Sequence, residues 1–395
     1  MKKKILFVIP SMRSGGAEKS LISVLTLFDY EKYEVDLLLF RRDGLFFEKL
    51  PPQINYIYDT TDFETFDGDG KTAVKYFLKR FDFPAVIERI RYTKTFNESD
   101  MVTQETESWK YLRRRLPKMS KKYDCAISYL EGNANNFVAD CVRADRKICY
   151  VHNDISKLPY NDAFYRNSIN KSDAVVTVSK LCYDSLVSGF PEFSEKYRII
   201  ENITSRKLIL NDASQESDVY GKKDETVILT VGRCSEQKNI ELAADACREL
   251  KDRNRNIKWY HIGKGEDEEK VRAFAEKLGI SDSFIMLGEK SNPYPYMAQC
   301  DIYVQPSRFE GKSIAIDEIK CIYKPIVVTD YPSVNDQIED GKNGLICKMN
   351  REDMADKIEM LIDSPELCEK LSSNLQNENC GNEKELEKLY KLIDG

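Results

Sequence analysis

Apolar runs of six to eight residues, rich in β-branched and aromatic side chains, recur at KILFVI (4–9), YEVDLLLF (33–40), YDCAISYL (123–130), KICYVHND (147–154), DAVVTVSK (173–180) and YRIIENI (197–203). After the first run, residues 17–27 carry apolar side chains at helical spacing. Uninterrupted apolar runs predict strands buried on both faces, as in a parallel sheet, and the longer period predicts a covering helix. Strand, helix and strand within about 40 residues make a βαβ unit, and its repetition predicts a doubly wound α/β sheet.

The composition turns polar over 210–226 (LNDASQESDVYGKKDET), which predicts a linker. The alternation then restarts: strand VILTVGR (227–233), helix 239–253, strand KWYHIGKG (258–265), helix EEKVRAFAEKLG, and strands SFIMLGE, DIYVQPS and KPIVVTD. Two Rossmann-like domains follow, 1–205 and 206–381, with a helix at about 382–395 expected to pack back on the first. Such domains bind ligands at the carboxyl ends of their strands.

Residues 59–122 break the pattern. They hold no clean strand, only AVKYFLKRFDFPAVIERIRYTKTF (73–96) and KYLRRRLPKMSKK (110–122), the latter with seven basic residues in thirteen and no acid. One reading is a helical insertion whose charges face water. The other is an interfacial helix pair in which Arg113, Arg114, Arg115 and Lys118 meet anionic headgroups at a membrane.

Charge and composition narrow the classes. The 395 residues carry a net charge of −6, which argues against general nucleic-acid binding, and the positive excess lies in the first half: 32 Lys+Arg against 29 Asp+Glu through residue 205, then 28 against 37. Eleven cysteines, an odd number with no C-x-x-C pair, read as reduced thiols of a cytoplasmic chain. No stretch approaches the roughly 18 apolar residues a spanning helix needs, so any membrane contact is expected to be peripheral, on the inner face.

Candidate chemistry sits at three strand ends of the second half. In SRFEGKSIAIDEIK (307–320), Gly311, Lys312 and Ser313 stand where a helix begins, so backbone N–H groups and the helix dipole favour an anion. Glu310, just before that helix, would repel a phosphate and suits sugar hydroxyls; Glu318, two turns on, suits a second diol such as a ribose. In VGRCSEQKN (231–239), Arg233 and Lys238 bracket a loop as a cationic clamp for a diphosphate. In GEKSNPYPYMAQCD (288–301), Gly288 and Tyr294 offer backbone groups and an aromatic where a nucleobase can stack. The first half opens with PSMRSGGAEKSL (10–21), whose Gly15 and Gly16 form a strand-to-helix turn without the G-x-G-x-x-G of a dinucleotide loop.

In this order VGRCSEQKN, HIGKGEDEE, LGEKSNPYPYMAQCDIYVQPSRFEGKSIAIDE and PIVVTDYPSVNDQIEDGKNGLI resemble the retaining glycosyltransferases of family 4, with the two-domain GT-B fold. The resemblance covers most of the second half, and the first more loosely through SGGAEKSL, YVHND and VVTVSK. Within the family the chain is similar to enzymes that build capsule, exopolysaccharide or related surface glycans on a lipid carrier.

The resemblance implies a nucleotide-diphosphate sugar, UDP-linked, as donor, with Arg233 and Lys238 on its diphosphate. It places Glu310 on the sugar, Gly311, Lys312, Ser313 and Ile314 presenting amides, Glu318 on the ribose, and His152 and the Gly15–Gly16 loop near the donor sugar across a cleft. Asn202 matches an asparagine common before the interdomain linker, although the usual following proline is missing. The acceptor would be a glycan or polyprenyl-linked hydroxyl, attacked on the front face, with no cofactor and no metal; DGD (67–69) reads as a turn. Two rivals remain: an epimerase or hydrolase of nucleotide sugars on the same fold, and a non-catalytic partner subunit of a glycosyltransferase complex.

Overall fold

The structure is a computed structural model and describes residues 2–13, 15–57, 60–98, 101–157, 160–216, 218–221, 224–378 and 380–395. It divides into two units: Met1–Ile203 with Lys384–Gly395, and Thr204–Glu383.

The first unit holds a seven-stranded parallel sheet of β1 (Lys3–Ile9), β2 (Tyr33–Leu39), β3 (Asn55–Ile57), β4 (Lys122–Ser128), β5 (Arg143–Val151), β6 (Ala174–Thr177) and β7 (Tyr197–Ile199), in the order β3-β2-β1-β4-β5-β6-β7. Ile5 pairs with Val35 on one side and Cys125 on the other. Ile5, Phe7 and Ile9 enter one core while Leu6 and Val8 enter the core on the opposite face, so the strand is apolar at every position.

The second unit repeats the plan with β8 (Thr226–Val231), β9 (Ile257–Ile262), β10 (Phe284–Met286), β11 (Ile302–Gln305), β12 (Ile326–Thr329) and β13 (Leu345–Cys347), in the order β10-β9-β8-β11-β12-β13. This is the doubly wound order, and its direction reverses between β8 and β11, where the loops at their carboxyl ends diverge and leave a ligand crevice.

The chain crosses between units twice. After the second unit, the helix Glu385–Asp394 returns to the first, burying Leu386, Leu389 and Ile393 in its core; Tyr390 stacks on Tyr33 at 5.3 Å, and Asp394 pairs with Lys3 at 2.8 Å. The stretch expected as a linker begins inside a helix, Arg206–Ala213, and further on Val219 donates to Gln299 (3.3 Å) and Tyr220 to the carbonyl of Tyr296 (3.0 Å). Polar composition there marks a docked surface segment; its residues 217, 222 and 223 lie outside the described residues.

The expected insertion starts at Asp59, outside the described residues, and is helical: Thr61–Asp67, Gly70–Lys79, Phe83–Glu98 and Met101–Leu112. Two corrections follow. The run 73–96 is two helices, broken at residues 80–82, where Asp82 accepts from the amide of Ala85 (3.0 Å) and starts the second. The basic run 113–121 is a tight turn and coil rather than an interfacial helix, because the helix ends at Leu112 and Pro117 bars its extension.

Its arginines are also spent on acids of the first unit. Arg113 approaches Asp140 at 3.5 Å, Arg114 pairs with Glu88, and Arg115, nearly buried, pairs with Glu88 and with Asp82 (3.2 Å) beneath the rings of Phe66 and Phe77. Lys118 alone of the four stays exposed with no recorded pairing among the described residues. Among those residues, no helix is long and apolar enough to cross a membrane.

Candidate functional site

In the second unit, the loop 232–239 leaves β8 and the loop 306–313 leaves β11, on either side of the reversal. The first is shaped by the chain after β9. Gly263, at φ +146°, comes so close that a Cβ there would lie 1.9 Å from the carbonyl oxygen of Gly232, and a Cβ on Gly265 would lie 2.0 Å from that of Cys234. Only glycine fits either place. Hydrogen bonds complete the hold: Cys234 to Lys264 (3.0 Å) and Gly263 to Gly288 (2.9 Å) between backbones, and the His261 ring Nε2 3.0 Å from the Gly232 carbonyl. That carbonyl only accepts, so Nε2 carries the proton. Burial lowers the His261 pKa to about 4, against the smaller upward pull of the Gly232 bond. His261 is thus a neutral strut under the loop.

The second loop carries a buried carboxylate. Glu310 Oε1 accepts from Lys238 Nζ (2.5 Å), Ser307 Oγ (2.6 Å) and Gln305 Nε2 (3.1 Å). Gln305 is fixed in turn by the Tyr303 hydroxyl (2.8 Å). The loops are stitched where the Arg308 amide donates to the Gln237 carbonyl (2.8 Å) and Gln237 Nε2 to that of Phe309 (3.1 Å). A buried carboxylate is tolerable only when paired and hydrogen-bonded, and three donors on one oxygen meet that demand. The other oxygen, Oε2, has one long contact, Gln237 at 3.4 Å. It is the oxygen with accepting capacity left.

Ser313 caps the helix Ile314–Ile322, but its amide is taken by Gln337 Oε1 (2.8 Å), while Gln337 Nε2 returns a bond to the Ser313 carbonyl (2.8 Å). The expectation of free amides across 311–314 is corrected at this position. What Ser313 leaves open is its hydroxyl, buried and without a hydrogen-bond partner among the described residues. Lys312 lies 3.6 Å from Asp317, and Ile314 opens the helix after Gly311 and Lys312.

One turn on, Glu318 is buried and accepts from the Tyr294 hydroxyl (2.8 Å). Burial first, and then the Glu318 charge, push the Tyr294 phenol well up. Tyr294, expected to stack a base, gives its hydroxyl to Glu318 and orients it. Gly288 closes β10, contributing the carbonyl that accepts from Gly263. Arg233 is exposed with no recorded pairing among the described residues, so the two cations of the expected clamp differ: Lys238 is committed to Glu310 and Arg233 is not.

In the first unit, Gly15 precedes the helix Gly16–Leu27, and a Cβ there would meet only the flexible end of Glu18. His152 follows β5. Its amide donates to Glu131 Oε2 (3.0 Å), its Nε2 lies 3.0 Å from the Tyr129 carbonyl, and its ring stacks on Tyr150 at 5.6 Å. Burial lowers its pKa, opposed by the Glu131 charge, the Tyr129 carbonyl and Asn202, so the structure brings Asn202 to His152. Sequence reasoning missed Glu131, an acid at a strand end in YLEGN, and also Gln305, Ser307, Gln337 and the two glycines of HIGKG. Among the described residues, no group of three or more His, Cys, Asp or Glu side chains could hold a metal ion.

Residues 212–378 match the family model described as Glycosyl transferases group 1. This segment contains both loops. An alpha-D-kanosaminyltransferase of Streptomyces kanamyceticus is 28% identical over 218 residues, 53% of this chain and 56% of that protein, so the match spans about half of that relative. A Campylobacter jejuni N-acetylgalactosaminyltransferase, named for a diphospho-undecaprenol-linked acceptor, is 25% identical over 352 residues, 89% of this chain and 87% of that one. The crystal structure of Anabaena Alr3699/HepE with UDP and glucose superposes with a TM-score of 0.71 at 17% identity, covering 100% of both chains. The fold is therefore that of the GT-B glycosyltransferases, with two Rossmann-like parallel-sheet domains.

Proposed function

We propose that this chain is a retaining glycosyltransferase that moves a sugar from a UDP-linked donor to a hydroxyl of a lipid-linked glycan in surface polysaccharide assembly. The observation that carries this reading is the Lys238–Glu310 pair, which joins the two strand-end loops of the segment matching the group 1 transferases. It sets a cation for a diphosphate against a carboxylate for sugar hydroxyls. The UDP and glucose bound by the Anabaena protein and the undecaprenol-linked acceptor in the Campylobacter relative's name support the choice of substrates.

In this reading Lys238 and Arg233 face the donor's phosphates, and Glu310 Oε2 accepts from the sugar. The unpartnered Ser313 hydroxyl donates to a phosphate oxygen, and Glu318, aimed by Tyr294, accepts from the ribose. The acceptor oxygen bonds to the anomeric carbon from the face the diphosphate leaves. As the bond from that carbon to the phosphate oxygen breaks, the acceptor's proton passes to the departing diphosphate. Fixed cations and donors stabilise the charge that develops there. Metal is not required, and EDTA-treated protein is expected to keep its turnover.

The test is a thermal-shift panel of nucleoside diphosphates, followed by NMR of the product's anomeric proton with the responding donor. UDP at about 100 times its dissociation constant should stabilise by about 2.7 kcal/mol. An inverted product would overturn the retaining mechanism, and no response to any nucleotide would overturn the donor site.

A further inference from the structure

Ten large apolar side chains are exposed among the described residues, and five of them, Leu78, Phe81, Phe83, Ile87 and Ile90, lie within thirteen residues of the insertion's helical hairpin. The hairpin's inner face is satisfied: Ala73, Phe77, Ala85 and Tyr92 pack into the core beside β1 and β4. The outer face carries the five apolar side chains together with exposed Lys71, Lys75, Lys79 and Arg91. Its tip is unusual. The Asp82 amide bonds to the Phe77 carbonyl (3.0 Å) and the Phe81 amide to that of Leu78 (3.1 Å), a helix ending whose left-handed position normally belongs to glycine. Here Phe81 holds it at φ +58°, with 79% of its surface exposed.

Charge sorting completes the surface. Residues 70–95 hold seven basic side chains and two acids, Asp82 and Glu88. Both acids are paired inward with Arg115, and Glu88 with Arg114 as well. The outward face is left apolar and cationic, the complement of an anionic bilayer surface, where aromatic and aliphatic side chains enter the headgroup boundary and lysines meet phosphates.

We propose that the hairpin over residues 70–95, with Phe81 at its tip, docks the protein on anionic lipid bilayers. Arg114 and Arg115 serve this surface from outside the hairpin, by neutralising Asp82 and Glu88. The inference rests on the proposed function only in that a lipid-carried acceptor gives the surface its use, and its test needs no turnover.

Flotation with vesicles of phosphatidylcholine and phosphatidylglycerol in equal parts should carry the chain, with binding that weakens as salt rises, and vesicles of phosphatidylcholine alone should carry much less. Phe81→Gly suits the backbone better and should melt no lower than the parent, yet lose roughly tenfold in partitioning. Ile87→Ser with Ile90→Ser should lose as much, and Lys75→Glu with Lys79→Glu should flatten the salt dependence. The proposal is overturned if the parent does not float, if Phe81→Gly and the double serine variant float like the parent, or if Phe81→Gly instead converts a dimer to a monomer. Vesicle binding without sugar transfer would keep the surface and sink the reaction; the reverse would do the opposite.

Discussion

The strand-end site of the second unit and the helical hairpin of the first both depend on buried ion pairs, and they use them in opposite ways. At the site, Lys238 and Glu310 come from adjoining loops, and their pair occupies one carboxylate oxygen while the other keeps accepting capacity. In the hairpin, Arg114 and Arg115 reach back 26 and 27 residues to Glu88 and cancel it, so that the surface in front is stripped of acid. A run of charge in a sequence therefore does not say where the charge is spent. In the proposed reading the site's charges act on the ligand themselves, whereas the charges beside the hairpin prepare a surface made of other residues.

The largest effect should come from breaking the site's pair. Lys238→Ala is expected to cost ~3 kcal/mol of transition-state stabilisation, roughly a hundredfold or more in kcat/KM, in a sugar-transfer assay. Near-normal turnover would mean that the pair is only structural, which would erase the contrast with the hairpin.

Arg115→Ala should leave that assay's chemistry alone but lower the first unit's unfolding free energy by ~3 kcal/mol in urea, because two carboxylates lose a buried partner. A loss confined to activity would mean that the run 113–115 belongs to catalysis.

Acid should find the site's strut next. The His261 pKa lies near 4 in the folded chain against 6.5 for a free imidazole, so its contribution is whole above 6.5 and is lost as pH falls towards 4, when the unfolded chain takes up a proton that the folded one refuses. The second unit should lose on the order of 2 kcal/mol over that window, and His261→Gln should flatten the slope.

Smallest is Arg114→Ala. Its half-exposed guanidinium should cost no more than ~1 kcal/mol in the same urea titration, and a larger loss would make the two hairpin arginines equals.

These differences also govern what could be read from the sequence. The doubly wound halves were visible because a strand buried on both faces has to be apolar throughout, as Ile5 to Ile9 are. Lys238 and Glu310 could be picked out as candidates because they follow strands within a few residues, and the fold fixes where such loops go; Glu318 stood out only by its spacing from Glu310 along the helix that follows. Gln305 and Ser307 were missed although a glutamine closing the run IYVQ is a signal, and Gln337 was missed because its bond to Ser313 spans 24 residues. In the insertion, apolar spacing continues across residues 80–82 and hides the break, though the sequence Asp82-Phe83-Pro84 announces a new helix start. Which of its apolar faces is covered depends on Phe66 and Trp109 in neighbouring helices, and no local pattern reports that.

The returning helix Glu385–Asp394 has a consequence for how the protein is made. The first unit's core includes Leu386, Leu389 and Ile393, so during synthesis that core stays open while the whole of residues 204–383 leaves the ribosome. The first unit is completed only after the second has been made, and the sheet face that this helix covers must wait, uncovered, until then.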